Sequence, residues 1–207
     1  VMNVCVLKKP VVGIIPTGDE IVPPSDDPRP GDILEFNSSI FSAMLVQWDA
    51  VPKTYPIVKD DFNAICKALE SALQKCDIVL LNAGSSAGRE DYSAEVIRTI
   101  GGVLYHGIAM KPGKPAILGY QKEKPVLGVP GYPVSGIIVL EELLKPLISD
   151  WYQIASPEEE SVMAVLSRGM VSGLKYEEFV RVRMGKVGEK LIASPLNRGS
   201  GMVSSFM

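Results

Sequence analysis

The run DIVLL at residues 77–81 constrains this chain more than any other segment. Its consecutive apolar side chains leave no polar face. A strand of that kind is dry on both sides, as in a parallel sheet covered by helices. VVGIIP at residues 11–16 reads in the same way. Residues after 37 carry Ile40, Phe41, Met44, Leu45 and Trp48 at helical spacing, with Asn37 as the expected cap. Residues 51–58 read as a strand near a sheet edge, because Pro52 and Pro56 cannot donate to a ladder. Asp60 or Asp61 is expected to cap a helix whose apolar side is Phe62, Ile65, Cys66, Leu69, Leu73 and Cys76. Residues 93–100 read as a short helix, and 103–110, 116–120 and 126–129 as strands. Residues 134–148 read as a strongly apolar helix.

This order predicts an α/β fold over residues 1–150, a three-layer sandwich with a mostly parallel sheet. The pattern changes after Trp151. Residues 151–160, with SPEEE at 156–160, read as a linker. From 161 to 207 the apolar residues alternate with period two, punctuated by glycines at 169, 173, 185 and 188, which predicts a small all-β domain. The chain starts with Val rather than Met, and its last strand runs into Met207 without a closing turn. The expectation is a piece of a longer chain with a truncated C-terminal domain.

Composition removes several classes of function. Lys plus Arg total 21 and Asp plus Glu 24, a net charge of −3, so no bulk positive charge draws the chain to nucleic acid or a membrane surface. No apolar run approaches the ~18 residues of a membrane span. Cys5, Cys66 and Cys76 are odd in number and form no CxxC, which argues against a disulfide scaffold or a Cys-rich zinc site and suits a reducing cytoplasm. His106 is the only histidine and reads as a packing or hydrogen-bonding residue within a strand. Any metal must therefore rest on oxygen ligands.

Ligands of open α/β sheets sit at the carboxyl ends of the strands. The segments expected there are Thr17-Gly18-Asp19-Glu20, Asp60-Asp61, residues 82–91, Lys111-Pro112-Gly113-Lys114-Pro115, and residues 130–135. Small residues at 83–88 let backbone N–H groups approach an anion, and the helix that follows points its positive end there. Lys111 and Lys114 add two cations held near each other by Pro112, Gly113 and Pro115. Glu20, Asp61 and Asp91 offer oxygen ligands for a hard cation such as Mg²⁺. Together these groups suit phosphoanhydride cleavage or oxyanion transfer. Each also has a plain alternative: a helix cap at Asp60 or Asp61, a turn at 17–20, a solvated turn at 111–115, a tight turn at 130–133. The glycine-rich loop matches neither a Walker A nor a dinucleotide fingerprint.

Taken in order, PTGDEIV, GDILEFN, KDD at 59–61, NAGSSAGREDY at 82–92, AMKPGKPAILG, GVPGYPVSG, EEFVRVRM and NRGSGMVSS resemble the MoeA family, the molybdopterin molybdenumtransferases related to the gephyrin E domain. The resemblance covers nearly the whole chain. It implies a MoaB/Mog-like molybdopterin-binding fold. It also implies insertion of molybdate into adenylylated molybdopterin with release of AMP, aided by a divalent cation. Asp91, Glu20, Asp61, Lys111 and Lys114 would then be catalytic, with Asp91 and Glu20 on the cation. Gly84, Ser85, Ser86 and Gly88 would line the pterin-adenylate pocket beside Thr17, Gly18 and Asn37. Lys111, Lys114 and Ser135 would hold the oxyanion on the turn shaped by Pro112, Gly113 and Pro115. Arg181 and Ser200 would reach it from the β-domain. The resemblance further implies a homodimer, with the site formed between the α/β domain of one subunit and the β-domain of the other.

The chain also departs from the family. The common GGVS-type loop is Ala83-Gly84-Ser85-Ser86, and the common PGNP is Pro130-Gly131-Tyr132-Pro133. The pair of changes bears on tungstate against molybdate, or only repacks the loop. The family's two N-terminal domains have no counterpart here. Two alternatives stay open: a MogA-like adenylyltransferase sharing the α/β domain, and a catalytically silent pterin- or nucleotide-binding or scaffold module.

Overall fold

The computed structural model describes residues 2–24, 27–83, 92–155 and 160–196. Strand β1 (Val11–Pro16) lies fully buried beyond its first residue. Two short strands follow, β2 (Ile21–Val22) and β3 (Ile33–Leu34), paired in parallel in a small ladder that the sequence did not reveal. Helix α1 (Asn37–Gln47) comes next. Asn37 is not its cap. Glu35 Oε1 instead accepts from the Ser38 N–H at 2.9 Å, and the Asn37 amide turns away to donate to the Gly131 carbonyl at 2.8 Å. Strand β4 (Val51–Thr54) is shorter than the expected 51–58, because Pro56 breaks the ladder. The chain rejoins β1 only at the Thr17–Val58 bridge.

Asp61 caps helix α2 (Phe62–Leu73), its Oδ1 accepting from the Ala64 N–H at 2.7 Å. Strand β5 (Ile78–Asn82) is buried at every position. Helix α3 (Ser93–Ile100) has the expected limits. The expected strand 103–110 divides into β6 (Gly102–His106) and β7 (Met110–Lys111). His106 ends β6 exposed to solvent, so it is not a packing residue. Strands β8 (Ile117–Gln121) and β9 (Lys124–Val129) form a hairpin. The last helix of the unit is longer than expected. It comprises α4 (Pro133–Val139), a π-helical turn Leu140–Leu144, and α5 (Lys145–Trp151). Pro146 has no N–H to give one turn back, and the widened turn stands just before it.

The main sheet has the order β4-β1-β5-β9-β8-β6. Pairings β4–β1, β1–β5 and β5–β9 are parallel, while β9–β8 and β8–β6 are antiparallel. Only β8 is reversed, so β6 runs with the central strands. Val12, Ile14, Ile78 and Leu80 pack with Phe41, Leu45, Leu140 and Leu144 on the face covered by α1, α4 and α5. Ile15, Val79 and Leu81 pack with Ile65, Leu69, Val96 and Ile97 on the face covered by α2 and α3. The fold is thus the expected three-layer α/β sandwich with a mostly parallel sheet. Among the described residues no helix is long and apolar enough to cross a membrane.

The C-terminal part is all β. Strands β10 (Val165–Leu166), β12 (Val182–Val187) and β13 (Lys190–Pro195) form a sheet of order β10-β13-β12. Strand β11 (Glu177–Glu178) leaves that sheet and pairs in parallel with β7. Glu177 N–H donates to the Ala109 carbonyl and Phe179 N–H to the Lys111 carbonyl, each at 2.8 Å. Phe179 packs on the core beneath α1 and α4. The β-segment is therefore tied to the α/β unit directly.

The C-terminal end of α2 is held by Lys124, whose ammonium donates to the carbonyls of Leu73 and Cys76, the latter at 2.9 Å. Hydrogen bonds to a charged group contribute about 1.5–3 kcal/mol. Lys124→Met is expected to lower stability by about that amount in urea unfolding, with an unchanged m-value. A midpoint equal to wild type would show that water replaces the ammonium at no cost.

Candidate functional site

All strands of the main sheet except β8 end on one rim. Two cavities open there. The first lies over the ends of β1, β5 and β9 and has a volume of about 200 Å³. Thr17, Asn37, Asn82, Ala83 and Tyr132 line it, with Ile21, Leu34 and Phe36 forming an apolar wall. Thr17 is buried, its N–H donating to the Asn82 carbonyl at 2.9 Å. Asn37 and Asn82 are 6% and 5% exposed, and among the described residues the side-chain oxygen of each finds no hydrogen-bond partner. Buried amide oxygens are rarely left so. Gly18, just beyond Thr17, has φ +146°, and a Cβ there would stand 2.6 Å from Ile21 Cγ1. Neither Gly18 nor Glu20 lines the cavity. Glu20 is half-buried, and its carbonyl accepts from Ile33 N–H at 2.8 Å.

The second cavity has a volume of about 230 Å³ and lies where the turn at 111–115 meets the C-terminal part. Lys111, Pro112, Gly113, Lys114, Pro115, Ser135 and Arg181 all line it, with Glu178 and Phe179. The turn joins β6 to β8 and so stands on the rim, because β6 runs with the central strands. Gly113 has φ +111°, and a Cβ there would press on Val139 and Met110 at 3.0 and 3.1 Å. Ser135 is buried in α4. Arg181 stands just beyond β11, and burial pulls its guanidinium below the ordinary arginine value. Three cationic side chains and one carboxylate line this cavity, so it favours an anion.

The motif residues Lys111, Lys114, Ser135 and Arg181 thus share one cavity, and the same chain supplies all of them. The resemblance implied a β-domain from a second subunit at the site. Here the β7–β11 pairing brings Arg181 in from its own chain. Asp61 stands apart, its carboxylate engaged as the α2 cap. Gly84, Ser85, Ser86, Gly88, Asp91 and Ser200 lie outside the described residues. Among the described residues no group of three or more His, Cys, Asp or Glu side chains suits a metal ion. Of the two residues that the resemblance places on the cation, Asp91 lies outside the described residues and Glu20 stands off the first cavity. Tyr132, the departure from PGNP, lines the first cavity and not the cationic one.

Sequence reasoning did not count Asn82 as a site residue, although a polar residue closing the apolar run DIVLL was a visible signal. Glu178 and Tyr176 were also missed. Tyr176 places its ring centroid 5.5 Å from Lys114 Nζ.

Residues 13–150 match the family described as "Probable molybdopterin binding domain", and residues 163–207 match the "MoeA C-terminal region (domain IV)". A molybdopterin molybdenumtransferase of Bacillus subtilis is 29% identical over 98% of this chain and 48% of its own length. The crystal structure of a molybdopterin biosynthesis MoeA protein from Pyrococcus horikoshii superposes with a TM-score of 0.80 at 33% identity. It covers 96% of this chain and 48% of that one. The molybdopterin biosynthesis enzyme MoaB of Thermus thermophilus, at 18% identity and a TM-score of 0.52 over 70% of this chain and 97% of that one, shares the fold of the α/β part. This chain spans about half the length of the curated relatives it matches. With its α/β sandwich, the β-segment docked at the rim and both family matches in order, the chain belongs to the MoeA family, carrying the molybdopterin-binding domain and the C-terminal region that follows it.

Proposed function

We infer that this chain serves molybdenum cofactor biosynthesis by inserting molybdate into adenylylated molybdopterin, with release of AMP. The observation that carries this reading is the cationic cavity of Lys111, Lys114, Ser135 and Arg181. A tetrahedral oxyanion finds there three positive side chains, two of them exposed lysines, and the buried Ser135 hydroxyl, all able to form charge-assisted or neutral hydrogen bonds to it. The neighbouring cleft, apolar on one wall and bearing two buried amide oxygens that no described residue satisfies, suits a planar heterocycle with N–H donors. The start of α4 contributes to both cavities, Pro133 to the first and Ser135 to the second. That arrangement supports a pterin-adenylate beside an oxyanion.

The loop at 84–91, with Asp91 and a divalent cation such as Mg²⁺, belongs to the reading through the family resemblance. A homodimer and a cytoplasmic location are part of the same proposal. A MogA-like adenylyltransferase would share the α/β fold, but it gives no role to an arginine delivered by the C-terminal segment. Formation of adenylylated pterin from ATP would favour it over our reading. Pterin-adenylate left unchanged by the folded chain with molybdate and Mg²⁺ would favour a silent binding module.

Two substitutions test the assignment. Lys114→Ala removes a charge-assisted contact of ~1.5–3 kcal/mol, so molybdate affinity measured by calorimetry is expected to fall roughly 10- to 100-fold. Unchanged affinity would return the turn at 111–115 to a solvated one. Asp91→Asn is expected to abolish the Mg²⁺-dependent part of AMP or pterin-adenylate binding while leaving thermal stability as in wild type. Identical titrations with and without Mg²⁺ in both proteins would remove Asp91 from the site.

A further inference from the structure

Lys114 carries an exposed ammonium and, among the described residues, forms no ion pair. Its partner is the face of Tyr176, 5.5 Å from Nζ to the ring centroid. That distance lies within the ~6 Å range of a cation–π contact. A carboxylate in the same place would hold the ammonium equally well but would neutralise it. An aromatic face restrains the side chain and leaves both its net charge and its N–H donors available to an anion.

Tyr176 is positioned by the backbone. It directly precedes β11, which is paired in register with β7, Glu177 to Met110 and Glu178 to Lys111. Its own N–H faces the Gly173 carbonyl at 3.4 Å. The ring therefore comes from the C-terminal part and the lysine from the α/β unit, and they meet beside the cavity that Lys114 shares with Lys111, Ser135 and Arg181.

We propose that Tyr176 is a positioning residue for oxyanion binding, its ring holding the Lys114 ammonium at the cavity with its charge unneutralised. This rests on the oxyanion reading of that cavity. Molybdate is titrated into the full 207-residue chain by calorimetry, with Tyr176→Phe, Tyr176→Leu, Lys114→Ala and the Leu/Ala double variant alongside. A cation–π contact at an exposed site corresponds to a roughly 2- to 5-fold effect. The Phe variant is expected to bind as wild type and the Leu variant about 2- to 5-fold more weakly. In the Lys114→Ala background the Leu change is expected to add no further loss.

Wild-type affinity in Tyr176→Leu, with Lys114→Ala weakened, would overturn the role of the ring and leave the cavity standing. An equal Leu effect in both backgrounds would overturn it too, since the ring would then act through the fold. So would a Phe variant as weak as the Leu one. A Lys114→Ala variant that binds as tightly as wild type would remove the cavity reading itself, and this inference with it. A second readout does not depend on the variants folding. The Lys114 Hε resonances are expected upfield of ordinary lysine in the wild-type chain, and ordinary positions would overturn the contact.

Discussion

Water is excluded from both faces of the central strands, and that exclusion decides where polar chemistry can stand. Val12 and Ile14 face one helical layer and Ile15 the other, and β5 repeats the division with Ile78 and Leu80 against Val79 and Leu81. A polar side chain in mid-strand would lose its hydration without a partner. Polar residues therefore appear where these strands stop. Thr17 and Asn82 stand at two such ends, side by side through the Thr17 N–H and Asn82 carbonyl. Because β6 runs parallel to the centre despite the reversed β8, the lysine turn is carried to the same rim.

Much of this was legible in the sequence, because it follows from local pattern. The unbroken apolar run at 77–81 announced a strand covered on both faces, Asp61 announced the start of α2, and residues 93–100 read as the helix that α3 is. What escaped was long-range. The division of 103–110 into β6 and β7 depends on β11, a partner more than sixty residues away in sequence. Asn37 has the chemistry of a cap, yet its amide is drawn to the Gly131 carbonyl and Glu35 takes the capping role, a choice no helical pattern records. His106 was misplaced because an edge strand exposes what a central one would bury.

The site shows the same division. The motifs named Lys111, Lys114, Ser135 and Arg181, but only the tertiary structure shows that these residues line one cavity, and that Tyr132 faces the other. Asn82 was overlooked because an amide that ends a strand looks like a turn residue. That no described residue satisfies its buried oxygen becomes apparent only once burial is known. At Asp61 the sequence offered both a cation ligand and a helix cap, and the structure shows the cap, its Oδ1 accepting from the Ala64 N–H.

The short ladder between β7 and β11 has an electrostatic consequence. Docking the C-terminal segment carries Arg181 toward two lysines already on the rim, so closure works against mutual repulsion of like charges, with Glu178 as a partial counterweight. A multivalent anion in the cavity relieves that repulsion. By mass action, whatever occupies the cavity also favours the docked segment. An anion bound there would act as a bridging counter-ion between the two parts of the chain, and the strength of their association would then depend on the surrounding solution as much as on the sequence.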